Sequence, residues 1–296
     1  DQDWARDAAR RDFTINALYL DSSGGIFDPL DGKADLQASR LRFAGDAGLR
    51  VQEDALRMIR YCRFLPRFAA TGIDPQAQTA LREHASLCAG LSGERIANEM
   101  RRIMVGGGLK EVIGLMQGSK IDQAALGLSL DPSRLANDDE IGSMIAGLGA
   151  NVDFAWLANL AVAMPSGSAV LLAKRLRLSR AEERCLTRLD LGLGHDDMTM
   201  LSGARWRQAV YYLGDMTALL FAVQSWRNGH VLDASRLAEF TLWTPPQNPI
   251  RGADLLSHGV DNGPPIGQLL EEAERLWVSS NFTLGKETLL ERLIGN

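Results

Sequence analysis

Apolar positions alternate with polar ones at the start of the chain and then settle into a helical period that rarely changes back. In "TINALYLD" (14–21) and "IFDPLDG" (26–32) they alternate on either side of "SSGG", which predicts strand, glycine turn and strand: a β-hairpin ending in a proline turn. From about residue 50 the spacing becomes helical. "VQEDALRMIRYCRFLPRFAA" predicts one helix over 52–68, with a possible disturbance at Pro66. "DPQAQTALREHASLCAG" opens a second helix with Asp74 as N-cap and Pro75 at the first helical position. "SGERIANEMRRIMVG" predicts a third, started by Ser92 or Gly93 and stopped by glycines 106 to 108.

Further helices are expected at 109–117, 139–148, 152–163, 168–177 and 179–190, the last opened by Ser179 and Glu182 at capping-box spacing. "TPPQNP" (244–249) is a turn or linker, and "GADLLSHGV" and "GPPIGQLLEEAERLWV" are two closing helices joined by a Gly/Pro turn. No fixed-period repeat is present. The architecture expected is mostly α: a small α+β portion leading into a long helical body.

Composition changes this picture little. At 296 residues with 46% hydrophobic and 23% charged residues, the chain can build real cores and has a length prior of about two domains. A net charge of −5 argues against a uniformly basic nucleic-acid binder. The average hides an asymmetry, since residues 1–110 hold 16 Lys+Arg against 15 Asp+Glu, and residues 111–296 hold 16 against 22. An anionic partner is therefore expected to meet the first third, through local arginine clusters. Cys62, Cys88 and Cys185 fit neither a disulfide framework nor a metal-ligand spacing. No apolar run approaches the roughly 20 residues of a membrane span, and "DQDWARD" is no signal peptide. A cytoplasmic protein without membrane contact is expected, and a first residue other than Met implies processing or residues upstream.

Chemistry concentrates in two places. In "ARRDFTINALYLD" (9–21), Arg10 and Arg11 attract phosphate, Asp12 is a fixed acceptor beside them, and Asn16 enters the predicted strand. On the helix at 52–68, Met58, Ile59, Cys62 and Leu65 share a core face, while Arg57, Arg60, Arg63 and Arg67 fall within an arc of about 120° on the other side. Asp54 lies one turn before Arg57. No acid follows until Asp74, so these arginines lack local partners and form either an anion-facing stripe or a plain solvated surface.

Four stretches in order, "ARRDFTINALYLD", "GIFDPLDGKADLQASRLRFAG", "QEDALRMIRYCRF" and "GERIANEM", resemble the consecutive motifs of the class II tRNA nucleotidyltransferase and bacterial poly(A) polymerase family. "GADLLSHGV…GPPIGQLLEEAE" is similar to the family's C-terminal segment. The resemblance spans roughly residues 5–105 and 250–292, the middle agreeing only in being helical. It implies the C-terminal part of an α+β nucleotidyltransferase head (1–48), a helical neck with the nucleotide-selecting motif (49–108), a helical body (109–200) and a helical, RNA-binding tail (201–296).

The activity implied is template-independent addition of CCA to tRNA 3′ ends from CTP and ATP. A poly(A) polymerase and a non-catalytic nucleotide- and RNA-binding fragment are the alternatives. Arg11 suits a triphosphate oxygen through its planar fork of donors. Asp12 suits the ribose 2′-hydroxyl, and Asn16 orients the segment. For each, a salt-bridged turn is the plainer reading.

Glu53, Asp54 and Arg57 form the motif whose Asp and Arg select the base in the family. Cytosine and adenine both present an exocyclic amino donor beside a ring-nitrogen acceptor, matching a carboxylate and a guanidinium. Guanine and uracil present the reverse order and leave a buried charge unpaired. Arg60 and Arg63 extend the nucleotide site, Glu94 and Arg95 brace it, and Asp28 and Asp31 read most simply as turn residues.

The family's reaction also requires two Mg²⁺ ions on a paired Asp-x-Asp behind a glycine-rich turn. Asp1-Gln2-Asp3 lacks that turn and is rejected. The ligands are expected upstream, in a missing segment of the same head, and the chain alone is expected to be inactive. "GHDDM" (194–198) carries a His-Asp pair as in HD-type phosphohydrolases, but His84, His230 and His258 have no supporting spacing, so a helix-cap role is expected.

Overall fold

The computed structural model describes residues 2–260 and 263–294, leaving the side chains of residues 2, 3, 69–71 and 149–151 undescribed. Helix α1 (Gln2–Ala8) precedes a two-stranded antiparallel hairpin, β1 (Tyr19–Leu20) and β2 (Ile26–Phe27), paired Tyr19 to Phe27 and Leu20 to Ile26. The Asp21 carboxylate closes the turn by accepting from the Ser23 and Gly25 amides at 2.8 and 2.7 Å.

Helices α2 (Gly32–Gln37), α3 (Ala47–Glu53), α4 (Leu56–Phe64), α5 (Pro75–His84), α6 (Gly93–Ile103), α7 (Leu109–Ser119) and α8 (Ile121–Leu126) follow. Next come α9 (Asp138–Gly147), α10 (Ala155–Ala163), α11 (Ala169–Leu176), α12 (Arg180–Leu191), α13 (His195–Ser202), α14 (Trp206–Leu213), α15 (Thr217–Arg227) and α16 (Ala234–Leu242). The chain closes with α17 (Gly252–Ser257), α18 (Pro264–Ser279) and α19 (Lys286–Ile294).

Several starts follow from the sequence signals. Asp74 accepts from the Ala77 amide at 3.0 Å with Pro75 behind it. Ser179 and Glu182 form the reciprocal capping box of α12, and residues 244–249 carry no regular element.

Two elements differ from expectation. Thr14–Asn16 is a 3-10 turn and the strand is only Tyr19–Leu20. Here the Thr14 hydroxyl donates to the buried Asp35 at 2.7 Å, and Gly32 sits so close to the Thr14 carbonyl that a Cβ would fall 2.2 Å from it. The helix expected over 52–68 is broken twice. Asp54 is extended (φ −150, ψ 101) and its carboxylate takes the Leu56 amide at 3.1 Å. Beyond Phe64 the chain tightens into 3-10 geometry through Pro66, which has no N–H to donate. Apolar periodicity runs straight across both breaks, so it could not locate them. The predicted core face holds: Met58, Ile59 and Cys62 are inaccessible and Leu65 is 7% exposed.

One apolar core runs from Phe13 to Phe240, and it includes the buried faces of α14, α15 and α16, which were expected to open the tail. A second, smaller core gathers Ile250, Leu255, Ala273, Trp277, Val278, Leu289 and Leu290. Helix α19 has no counterpart in the sequence reading and supplies two of those residues. Helices α6 and α11 approach closely where α6 starts: a Cβ on Gly93 would fall 2.2 Å from the Arg175 carbonyl, so only glycine fits.

Candidate functional site

Four segments converge on the α4 face expected to be functional. Phe13 is inaccessible, with its ring 5.4 Å from both Phe43 and Phe64, and the Thr14 and Ala44 amides bond Arg42 and Asp12 carbonyls at 3.1 and 2.9 Å. This lock presses Asp12 onto α4, 48 residues further along. One Asp12 oxygen accepts from the Asn16 side chain at 2.9 Å and the Phe13 amide at 3.0 Å, and the other accepts from Arg60 Nε at 2.7 Å. Burial alone raises the Asp12 carboxyl, but Asn16 and Arg60 outweigh it and hold it below its ordinary value of 3.8.

The charges continue along the helix. Arg60 approaches Glu99 of α6 at 3.8 Å, and Glu99 accepts from Arg63 Nε at 2.6 Å while Arg63 lies over the Phe64 ring at 4.3 Å. Asp12, Arg60, Glu99 and Arg63 therefore form one alternating chain. Arg60 and Arg63 have distant partners and Arg57 a local one in Glu53, and the free anion-facing stripe is corrected accordingly. Arg67 alone among the four has no ionic or hydrogen-bonded partner among the described residues. Glu99, 5% exposed, was missed from the sequence. The available signal was a carboxylate on the buried face of α6, beside Ile96 and Met100.

At the α3–α4 break the three motif residues are all engaged. Arg57 donates to Glu53 at 2.8 Å, to the Arg50 carbonyl at 3.0 Å and to the Arg10 carbonyl at 2.8 Å. Three of its five N–H donors are taken and two remain. Arg50 donates to Glu53 and to the Ala9 carbonyl, so α3 and α4 together clamp the backbone before Asp12. Asp54 accepts from Arg95 Nη2 at 2.8 Å and stays one-third exposed. Its carboxylate keeps free lone pairs toward solvent.

Not every expected residue joins this cluster. Arg11 pairs with Asp7 at 2.7 Å and is half-exposed, with Asp7 also accepting from the Tyr19 hydroxyl. Glu94 reaches away to Arg177 of the body at 2.8 Å, while its neighbour Arg95 faces the site. Asp28 accepts from the Gly32 and Lys33 amides, as a turn residue does. His195 and Asp196 lie in the first turn of α13, and the helix-cap role expected of this stretch falls to Asp197, which accepts from the Gly194 amide at 3.3 Å.

Among the described residues no group of three or more His, Cys, Asp or Glu side chains could hold a metal ion. Asp12 already has the Arg60 guanidinium against it, which opposes a further cation there. Asp1 of Asp1-Gln2-Asp3 lies outside the described residues, as do the side chains of Gln2 and Asp3. The described residues do not fit Mg²⁺. No helix among them is long and apolar enough to cross a membrane.

Residues 1–42 match the family described as "Poly A polymerase head domain", and residues 72–124 match "Probable RNA and SrmB- binding site of polymerase A". The chain is 31% identical over 300 residues to the mitochondrial CCA tRNA nucleotidyltransferase 1 of Danio rerio, which covers 98% of this chain and 67% of that protein. It thus spans about two thirds of that relative's length. In three dimensions it resembles the Bacillus stearothermophilus CCA-adding enzyme in complex with CTP (TM-score 0.69, 21% identity, 99% of this chain and 74% of that one). It also resembles the Thermotoga maritima CCA-adding enzyme complexed with tRNA (TM-score 0.64, 18% identity, 99% and 73%). At those identities the likeness is one of fold.

Proposed function

The chain belongs to the class II tRNA nucleotidyltransferase family, and from that membership we propose that it is the nucleotide-selecting, RNA-holding part of an enzyme adding CCA to tRNA from CTP and ATP. The observation that carries this reading is the arrangement at the α3–α4 break. Asp54 keeps acceptor capacity toward solvent, held by Arg95, and Arg57 keeps two donors while clamped by Glu53 and two carbonyls.

In this reading the Asp54 carboxylate accepts from the exocyclic amino group shared by cytosine and adenine, and Arg57 donates to the adjacent ring nitrogen. Nucleotide entry exchanges the Arg60–Asp12 contact for a ribose 2′-hydroxyl on Asp12 and a phosphate oxygen on Arg60. Charge-assisted pairing is kept on both sides of the exchange. Arg63 and Arg11 supply further phosphate contacts, with Asn16 orienting Asp12, and Glu94 ties the pocket to the body. Residues 1–48, 49–108, 109–200 and 201–296 then act as head portion, neck, body and tail. The three free, buried cysteines suit a reducing compartment, in keeping with the cytoplasm.

Asp54→Ala in the full-length protein tests the reading. Losing a charge-assisted hydrogen bond costs about 1.5–3 kcal/mol, so the preference for CTP over UTP in kcat/KM should fall by roughly one to two orders of magnitude. Arg57→Ala should weaken CTP and ATP alike. An unchanged CTP-to-UTP ratio in folded Asp54→Ala protein rules the assignment out.

Because Asp1-Gln2-Asp3 lacks the glycine-rich turn of the family's metal site, residues 1–296 on their own are proposed to bind and select but not to transfer. The metal ligands would come from a further head segment of the same protein. Mg²⁺-dependent CMP incorporation by residues 1–296 would overturn that part.

A further inference from the structure

Arg11 is held in a way that the cluster around Asp12 does not require. The backbone on both sides of it is fixed: the Ala9 and Arg10 carbonyls accept from Arg50 and Arg57, and the Asp12 carboxylate is bound by Arg60. What remains to be placed is the Arg11 side chain, which is long and half-exposed. Its Nε and Nη2 both donate to one oxygen of Asp7, at 3.0 and 2.7 Å. The Tyr19 hydroxyl donates to that same oxygen at 2.7 Å. Tyr19 and then Arg11 hold the Asp7 carboxyl below its ordinary value of 3.8.

Asp7 is itself anchored. It stands three residues after Trp4 on α1, and so on the same face of the helix. The Trp4 ring stacks on Tyr19 at 5.6 Å and meets Phe27 at 5.8 Å, and Tyr19 and Phe27 are cross-strand partners in the hairpin. The carboxylate therefore belongs to a frame of α1, β1 and β2 tied together by rings. An exposed ion pair between residues four apart contributes little to stability, so reinforcement of α1 accounts poorly for this frame. Its effect falls on Arg11.

A guanidinium presents two edges that can each take an oxyanion. The edge formed by Nε and Nη2 lies on Asp7, which takes two of the five N–H donors and leaves three, both hydrogens of Nη1 among them. The end-on fork of Nη1 and Nη2 stays open. A loose arginine has to be ordered when it meets a phosphate, whereas one held by its inner edge is ordered beforehand.

We propose that Asp7, with Tyr19 behind it, is a positioning residue that fixes the Arg11 guanidinium so that its open fork meets a phosphate oxygen of the incoming nucleoside triphosphate. This rests on the function proposed above. Asp7 acts through Arg11 alone, and base choice stays with Asp54 and Arg57.

The test uses the full-length protein and tRNA lacking its CCA end. It reads KM for CTP together with competitive inhibition by inorganic triphosphate and by cytidine. Asp7→Asn keeps the size of the side chain and removes its charge. It should raise KM for CTP and the inhibition constant of inorganic triphosphate together, by roughly two- to tenfold, the range expected when one long side chain must be ordered on binding. Inhibition by cytidine, which carries no phosphate, should be unchanged, as should the ratio of kcat/KM for CTP to that for UTP. Tyr19→Phe keeps the stack on Trp4 and loses the donor, so it should move the same two constants in the same direction by less. In an Arg11→Gln background, Asp7→Asn should have no further effect. Thermal melting controls for folding.

Unchanged constants for CTP and inorganic triphosphate in Asp7→Asn overturn the inference and leave the proposed function standing. Tighter binding in that variant makes Asp7 a competitor for Arg11 and overturns it as well. An equal weakening of cytidine reports a damaged pocket, and a further loss in the Arg11→Gln background reports a route other than Arg11; either result has the same consequence. Wild-type protein that incorporates neither CMP nor AMP overturns this inference and the proposed function together.

Discussion

Residues 9–108 bury three carboxylates, Asp12, Asp35 and Glu99, against arginines, while residues 250–294 bury none among the described residues and gather around an aromatic core. In the first region Asp35 is inaccessible and paired with Arg40 and Arg42, and Glu99 joins Arg60 to Arg63. In the second, Trp277 meets Tyr211 and Phe282 edge-on at 6.0 and 4.9 Å. Of the ion pairs there, Arg275–Glu272 is solvated and Lys286–Asp254 is half-exposed at the lysine and 19% exposed at the carboxylate.

Burying charge is costly, and apolar residues of similar volume commonly hold a core as well or better. Such a network is thus a poor way to gain stability and a good way to fix guanidiniums and carboxylates in space. The contrast teaches that the front region fixes charged side chains against one another in space. The last helices are arranged around their own packing.

The largest expected effect divides the two regions directly. Trp277 is 2% exposed at the centre of the second core, and removing such a ring costs about 3–5 kcal/mol. Trp277→Ala should abolish amide-exchange protection across α17, α18 and α19 and leave α4 and α6 protected, since the two cores are separate clusters. Parallel loss of protection at Met58 and Met100 would show one cooperative unit and break the comparison.

A smaller effect probes the charge network itself. Glu99→Ala strands Arg63, 17% exposed, against an apolar wall, and removes one partner of Arg60. Breaking a buried pair from one side costs about 3–5 kcal/mol, and the low end applies because Arg60 keeps Asp12. The matching change in the second region, Glu272→Ala, should cost less than about 1 kcal/mol. Urea midpoints at constant m-value measure both. Equal losses would mean that the neck's charges are no more deeply committed than surface ones.

How far this was legible in the sequence depends on the range of the interaction. Local signals read well: Asp74 and Pro75 start α5, Ser179 and Glu182 box α12, and the glycine turn closes the hairpin. The helical core face of Met58, Ile59 and Cys62 also follows from periodicity alone. What failed was set by distant partners. Thr14 leaves the strand because Asp35 and Gly32 claim it, and Asp54 breaks a helix that the apolar period runs straight through. Arg60 and Arg63 looked unpartnered because Asp12 and Glu99 lie 48 and 36 residues from them. Glu99 stayed hidden because a single carboxylate on an apolar stripe carries no spacing of its own.

The smallest effect sharpens the contrast through salt. Lys286 donates to Asp254 at 2.5 Å from a side chain that is 49% exposed, while the same carboxylate takes the Arg251 amide at 2.9 Å and so caps α17. Lys286→Met removes the ion pair and spares the cap. Exposed pairs contribute about 0.2–1 kcal/mol, and screening over about 3 Å at 1 M salt removes most of that. The melting temperature of the second core should therefore fall slightly at low salt, and the difference from wild type should vanish at 1 M. The penalty of Glu99→Ala should persist at the same salt, because the Arg63–Glu99 contact, with Glu99 only 6% exposed, is screened far less than a surface pair. The comparison survives only if the two variants diverge in this way. A salt-independent loss in Lys286→Met would place that pair among the buried ones and erase the distinction between the regions.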